Sequence, residues 1–219
     1  MANDRPRRRG RPRAFDRDQA LLTALHEFWQ RGFEPVSVAE LTAAMGITPP
    51  SLYAAFGDKK TLFREVVERY QQTHGTFLAT ALAAEESTRD GVARALRAAA
   101  VEYTRPEHPP GCLVISAAVN CTATSADIAD LLRAQRAANI TALRERIKVD
   151  VADGRLPADT DADRLAVLVG VILQGMSQHA RDGASTEELL AVAEAAMLAW
   201  PAKIDTATYT NSPTRAWTR

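Results

Sequence analysis

Cysteine is scarce in this chain: Cys112 and Cys121 are the two among 219 residues, with no Cys-x-x-Cys pair and no Cys/His cluster of metal-ligand spacing. That excludes a disulfide framework and gives no reason to expect a structural zinc site, another metal or a cofactor. Long apolar runs are missing as well. The nine residues from Leu165 to Leu173 are the longest such run, about half of the ~20 needed to span a bilayer. The amino-terminal arginines are not followed by an apolar h-region, so the start does not read as a secretory signal. We expect a soluble, cytoplasmic protein with no membrane partner. Alternation of apolar and polar residues between turn signals is nearly absent too, which removes the sheet-based fold classes. No charge of one sign is in excess, with 27 basic against 27 acidic residues.

What is present is ordinary globular material, 46% hydrophobic and 25% charged, in a chain long enough to bury its own core. The neutral sum conceals an asymmetry. Residues 1–70 hold 12 Lys and Arg against 9 Asp and Glu, while residues 71–219 hold 15 against 18. The basic excess is concentrated in Arg5, Arg7, Arg8, Arg9, Arg11 and Arg13, opposed by Asp4 alone over residues 1–13. Such an arm suits an anionic partner at one end of the molecule, or is a solubilising tail.

Ala, Leu, Arg and Glu at helical spacing predict an all-α fold of about nine helices. Leu21, Leu22, Leu25, Phe28 and Trp29 form one stripe over Asp16–Arg31, closed by Gly32. Ser37-Val-Ala-Glu40 has the pattern of a capping box opening a short helix to Met45. Thr48 can cap a third helix with Pro49 at its first position, ending near Phe56-Gly57. Asp58 then caps a long fourth helix towards Ala83. Further helices are predicted at about 90–103, 111–121, 125–153, 161–182 and 185–200, and the tail from Pro201 has little to bury.

Two short helices joined through Gly46-Ile47 have the dimensions of a helix-turn-helix, which displays one helix to the major groove. The extended pattern of Gly32, Ser37-Val38, Leu41, Gly46-Ile47-Thr48, Leu52-Tyr53, Phe56, Asp58-Lys59 and Leu62 resembles the DNA-binding domain of the tetracycline-repressor (TetR/AcrR) family. Thr42 and the pair Ala54-Ala55 depart from the usual family residues. The resemblance implies a division into a basic arm (1–13), a helix-turn-helix unit (14–58), a linking helix (59–84), a ligand-binding and dimerisation domain (85–200) and a tail (201–219). It implies phosphate contacts from Ser37, Tyr53 and Lys59, and groove-facing positions at Thr48, Pro49, Pro50 and Ser51. Helix starts at Ser37, Thr48 and Asp58 present free backbone donors, which independently favours phosphate nearby. Arg9-Gly10-Arg11-Pro12 is similar to an AT-hook core, in which Arg9 and Arg11 would lie in a narrow minor groove.

The resemblance further implies a homodimer built from the last two long helices. On those helices the apolar candidates are Leu165, Leu168, Val169, Ile172 and Met176, with Leu189, Leu190, Ala193 and Met197. An effector pocket is implied between the linking helix and this pair. Its candidates are Tyr103, Cys112, Ser116, Asn120, Cys121, Asn139 and Gln174, polar groups on otherwise apolar faces suited to a small, mainly apolar ligand. No enzyme reading stands. His108 four residues before Cys112 has no orienting third group, and Asp159, Asp161 and Asp163 lack the glycine and distal glutamate of a calcium loop and read better as caps. The expectation is a repressor that leaves a palindromic duplex-DNA operator when an effector binds. The alternatives are a ligand-independent DNA binder and a thiol-switched sensor using Cys112 and Cys121.

Overall fold

The structure, a computed structural model, describes residues 15–201. The arm with Arg9 and Arg11, and the tail from residue 202, lie outside the described residues. The described residues are helical without strands. The first unit comprises α1 (Arg17–Arg31), α2 (Val38–Met45) and α3 (Pro49–Phe56), followed by α4 (Lys59–Thr73). The second comprises α5 (Phe77–Ala84), α6 (Thr88–Tyr103), the single turn α7 (Leu113–Ser116), a 3₁₀ turn (Ala123–Ser125), α8 (Ala126–Ala152), α9 (Ala162–Arg181) and α10 (Thr186–Leu198).

The helix starts follow local capping chemistry. Ser37 and Glu40 form the reciprocal capping box of α2, and Thr48, Asp58 and Asp161 each accept from a backbone N–H at the start of α3, α4 and α9. Gly46 ends α2 in the left-handed region with φ 65°, a conformation that costs a residue with a Cβ about 1–2 kcal/mol. This glycine sets the angle between α2 and α3.

Two predicted helices come out differently. The long fourth one is broken at His74-Gly75-Thr76 into α4 and α5, where the His74 and Gly75 N–H groups both donate to the Tyr70 carbonyl at 2.9 and 2.8 Å. A Cβ at Gly75 would stand 2.7 Å from Gln71 Oε1 and 3.1 Å from its Cα, so a larger residue there would make the Gln71 side chain move and the close return of the chain give slightly. The helix predicted over 111–121 shrinks to Leu113–Ser116. The residues beyond it are drawn into contact with the first unit, the Phe33 N–H donating to the Ala117 carbonyl at 2.7 Å.

A single apolar core runs through both units. Phe28, Trp29, Phe63 and Tyr70 meet Leu96, Leu113, Leu132 and Leu189 in one buried cluster. Arg17 locks the helix-turn-helix onto α4: it donates to the Ala55 carbonyl at 3.2 Å and to Glu65 at 2.7 Å, with its guanidinium 4.4 Å from the Phe56 ring centre.

Candidate nucleic-acid interface and effector cavity

The face of α3 opposite its buried Leu52 and Phe56 is open to solvent. Thr48, Pro49, Pro50, Tyr53 and Ala54 are exposed, and Ser51 is half-buried. Thr48 caps α3 by accepting from the Ser51 N–H at 3.4 Å, and the Thr48 and Ser51 hydroxyls are 2.9 Å apart. Ser37 is exposed, yet its hydroxyl and N–H both donate to Glu40 Oε2, at 2.6 and 2.7 Å. Lys59 is half-buried: its ammonium donates to the Glu34 carbonyl at 3.3 Å and sits 4.3 Å from the Phe33 ring centre, and burial lowers its pKa. It is therefore a positioned cation rather than a freely swinging one.

Behind this face, α4 carries contacts to the second unit at its start. Lys60 Nζ donates to Asp127 at 2.6 Å and to the Thr124 carbonyl at 2.8 Å, and Arg64 reaches the other Asp127 oxygen at 2.8 Å. The Thr122 hydroxyl donates to Glu34 at 2.9 Å. From α9, Arg181 donates to the carbonyls of Trp29 and Gln30 at 3.2 and 3.0 Å, capping the end of α1. Arg17 and Arg181 have no local sequence signature, since both act through partners far along the chain.

The far end of α4 forms one wall of an apolar cavity. Tyr70, Gln71 and Gly75 face Leu143, Ala166, Val169 and Leu173 across it. Of the predicted pocket residues, Tyr103, Cys112, Asn139 and Gln174 line this cavity. Ser116, Asn120 and Cys121 do not: Ser116 turns back to the Cys112 carbonyl at 2.9 Å, Asn120 is exposed, and Cys121 lies beside Glu34 and Lys59. The cause is the shortened α7, which leaves residues beyond 116 in the contact with the first unit. Arg136 was not anticipated. It lines the cavity, donates to the Val114 carbonyl at 2.6 Å, and has no carboxylate partner among the described residues; burial lowers its pKa. The Tyr70 hydroxyl donates to Cys112 Sγ at 3.2 Å, and burial pushes the Tyr70, Tyr103 and Cys112 pKa values up. All three thus remain protonated near neutrality. Burial also raises Cys121, and reactive thiols are the ones whose pKa is depressed.

The predicted dimer seam needs correction. Leu165, Val169, Met176, Leu189 and Ala193 are buried within the subunit's own core, because α9 and α10 turn those faces towards α6 and α8. Leu168 is exposed, and Ile172, Leu190 and Met197 are half-buried at the edge of the core. The outward apolar face is instead Val167, Leu168 and Val171 on α9 with Val192 and Leu198 on α10.

One further constellation was invisible to spacing arguments. His74, Glu102 and His108 come together where α4, α6 and the α6–α7 connector meet, their ligand-capable atoms all within 4.8 Å of one another. No helix among the described residues is long and apolar enough to cross a membrane.

Comparison with known proteins agrees with this architecture. The family described as bacterial regulatory proteins, tetR family, matches residues 20–66, and the tetracyclin repressor-like C-terminal domain matches residues 91–197. The HTH-type transcriptional repressor ComR of Escherichia coli (strain K12) is 38% identical over 194 residues, covering 88% of this chain and 92% of ComR. The repressor BdcR of the same organism is 35% identical over 184 residues, 84% and 88% of the two chains. Among solved structures, the TetR family regulator CifR, as a cysteine mutant complexed with 26-bp operator DNA, has 48% identity and a TM-score of 0.83, over 87% of this chain and 100% of that one. With the helix-turn-helix of α2 and α3 set on an all-helical second unit, this chain belongs to the TetR family of bacterial transcriptional regulators.

Proposed function

We propose that the protein is a cytoplasmic homodimeric repressor that holds a palindromic operator and releases it when a small molecule enters the cavity beside α4. The observation that carries this reading is the solvent-facing side of α3, with Thr48, Pro49, Pro50 and Tyr53 displayed on a support fixed by Arg17. A single two-turn helix makes few base contacts, so the reading requires two copies about one duplex turn apart or more. The exposed apolar face of α9 and α10 is the surface that would pair them. The chain's resemblance to CifR, whose structure holds 26-bp operator DNA, supports duplex DNA as the partner.

Phosphates would approach the starts of α2 and α4 beside Tyr53 and Lys59, while Thr48, Pro49, Pro50 and Ser51 meet base edges. The effector that suits the cavity has a mainly apolar body and one acceptor or anionic group for Arg136. Occupancy would displace α4 at Tyr70 and Gln71, and a coupling of about 1–3 kcal/mol gives roughly 5- to 150-fold weaker operator binding. The pKa values of both cysteines, pushed up by burial, give the thiol-switched alternative no support. Footprinting the purified protein on duplexes tiled across the DNA flanking its coding region tests the reading. A protected segment with two-fold sequence symmetry is expected; no protected segment at any salt concentration would refute it.

A further inference from the structure

Three of the chain's four histidines, His26, His74 and His108, line one cleft at the junction of the two units. Two of them converge on a single carboxylate oxygen: His74 Nδ1 is 2.8 Å from Glu102 Oε1, and His108 Nε2 is 3.2 Å from the same atom. His108 Nδ1 lies 2.9 Å from the Pro109 carbonyl oxygen, which can only accept, so Nδ1 carries a hydrogen and Nε2 is the ring atom left facing Glu102. That side chain is 7% exposed, and Nε2 is buried without a hydrogen-bond partner. A cation between Nε2 and that carboxylate oxygen, a proton or a metal ion, would satisfy both atoms.

We propose that His74 Nδ1, Glu102 Oε1 and His108 Nε2 form a binding site for a divalent first-row transition cation of the Zn²⁺ type, clasping α4 to α6 and its connector. Two imidazole nitrogens and one carboxylate oxygen are the donor set that borderline cations take, with an open fourth position. Bonds of about 2.0–2.1 Å in tetrahedral geometry place ligand atoms about 3.4 Å apart; the two imidazole nitrogens stand 2.8 and 3.2 Å from Glu102 Oε1, and all three atoms lie within 4.8 Å of one another. The surroundings are those of a held site. The Pro109 carbonyl orients His108 from behind, the usual outer partner of a metal-bound imidazole. Trp29 stacks on His108 with centroids 4.3 Å apart and meets His74 edge-on at 4.9 Å, and Arg105 Nε lies 3.3 Å from the other Glu102 oxygen, leaving Oε1 to act alone.

The test uses the full chain, stripped with chelator and desalted, titrated with Zn²⁺ alone by calorimetry and with Co²⁺ by visible absorption, in the absence of DNA. One Zn²⁺ per subunit is expected, with a melting temperature raised by about 5 °C or more at a hundredfold excess over Kd. Glu102→Gln, His74→Asn and His108→Asn should each lower affinity at least about tenfold, whereas His179→Asn and the pair Cys112→Ser with Cys121→Ser should leave it unchanged. Histidine-labelled wild-type protein supplies a readout that needs no variant: Zn²⁺ should shift the His74 and His108 ring resonances and leave His179 in place. Absence of binding to the wild type, undiminished binding in the folded Glu102 and His108 variants, loss with the cysteine pair, or resonance shifts confined to His26 or His179 would overturn the assignment.

Discussion

Arg181 Nη1 donates to the Trp29 carbonyl oxygen across 3.2 Å, so the last turn of α9 caps the last turn of α1 and the two units share a hydrogen-bonded seam. Its second nitrogen reaches the Gln30 carbonyl at 3.0 Å. Arg181→Ala strands both carbonyls at a helix end and should lower stability by about 1–2 kcal/mol. Urea unfolding at constant slope checks this; an unchanged midpoint would show the seam to be energetically idle.

Salt dependence separates the roles assigned to the basic residues. Removing residues 1–13 should weaken duplex binding and reduce the slope of log K against log salt by about 0.9 for each phosphate the arm would have neutralised. Lys59→Ala should weaken all duplexes alike, because its ammonium is held on the Glu34 carbonyl and the Phe33 ring away from base edges. Thr48 and Ser51 substitutions should instead change the ranking of sequences. Anisotropy titrations on a small set of duplexes at several salt concentrations distinguish these patterns.

The outward face of α9 gives a paired prediction. Val171 is 58% exposed and Leu165 is 6% exposed on the same helix. Val171→Glu should leave the fold intact and shift the protein to a monomer in sedimentation, with operator affinity falling in parallel. Leu165→Glu buries an unpaired charge and should unfold the subunit. Dissociation by the second and not the first would invert the assignment of faces.

The start of α2 should be sensitive to acid. Glu40 accepts from the Ser37 hydroxyl and N–H, and from Arg31, which together lower its pKa from 4.5 to about 2. A depressed carboxylate contributes stability that is fully present above its unfolded pKa of 4.5 and is lost as pH falls towards 2. Glu40→Gln should therefore flatten the pH dependence of the melting temperature across that window and leave the limb above pH ~5 parallel to wild type. Calorimetric melts from acid to neutral pH decide it.

The cavity carries an equally specific expectation. Arg136→Met removes its half-buried cation while keeping the apolar stem. Small carboxylates that raise the wild-type melting temperature should lose roughly 10- to 100-fold in affinity, and neutral apolar compounds should lose little. Equal loss for both classes would mean that Arg136 only shapes the wall.

Local chemistry was legible in the residues. Ser37 with Glu40, Thr48 before Pro49, and Asp58 before Lys59 announce helix starts because a cap acts over three residues. Orientation was not legible along α9, where Leu165 to Leu173 is apolar all round and no period tells inside from outside. Arg136 on a long helix reads as a solvated charge until α7 is laid across it. Glu102 and His108 are six residues apart and His74 lies 28 before Glu102. The turn at Pro106-Glu107 returns His108 to the end of α6, where His74 at the end of α4 also meets Glu102.

The helix ahead of the break at Gly75 also bears on how such a regulator can diversify. Lys59 and the cavity residues Tyr70 and Gln71 lie on one unbroken fifteen-residue rod, so exchanges at the cavity end can alter which compound pushes the rod without replacing any residue at the other extremity. Descendants could acquire new chemical sensitivities while continuing to address an inherited promoter.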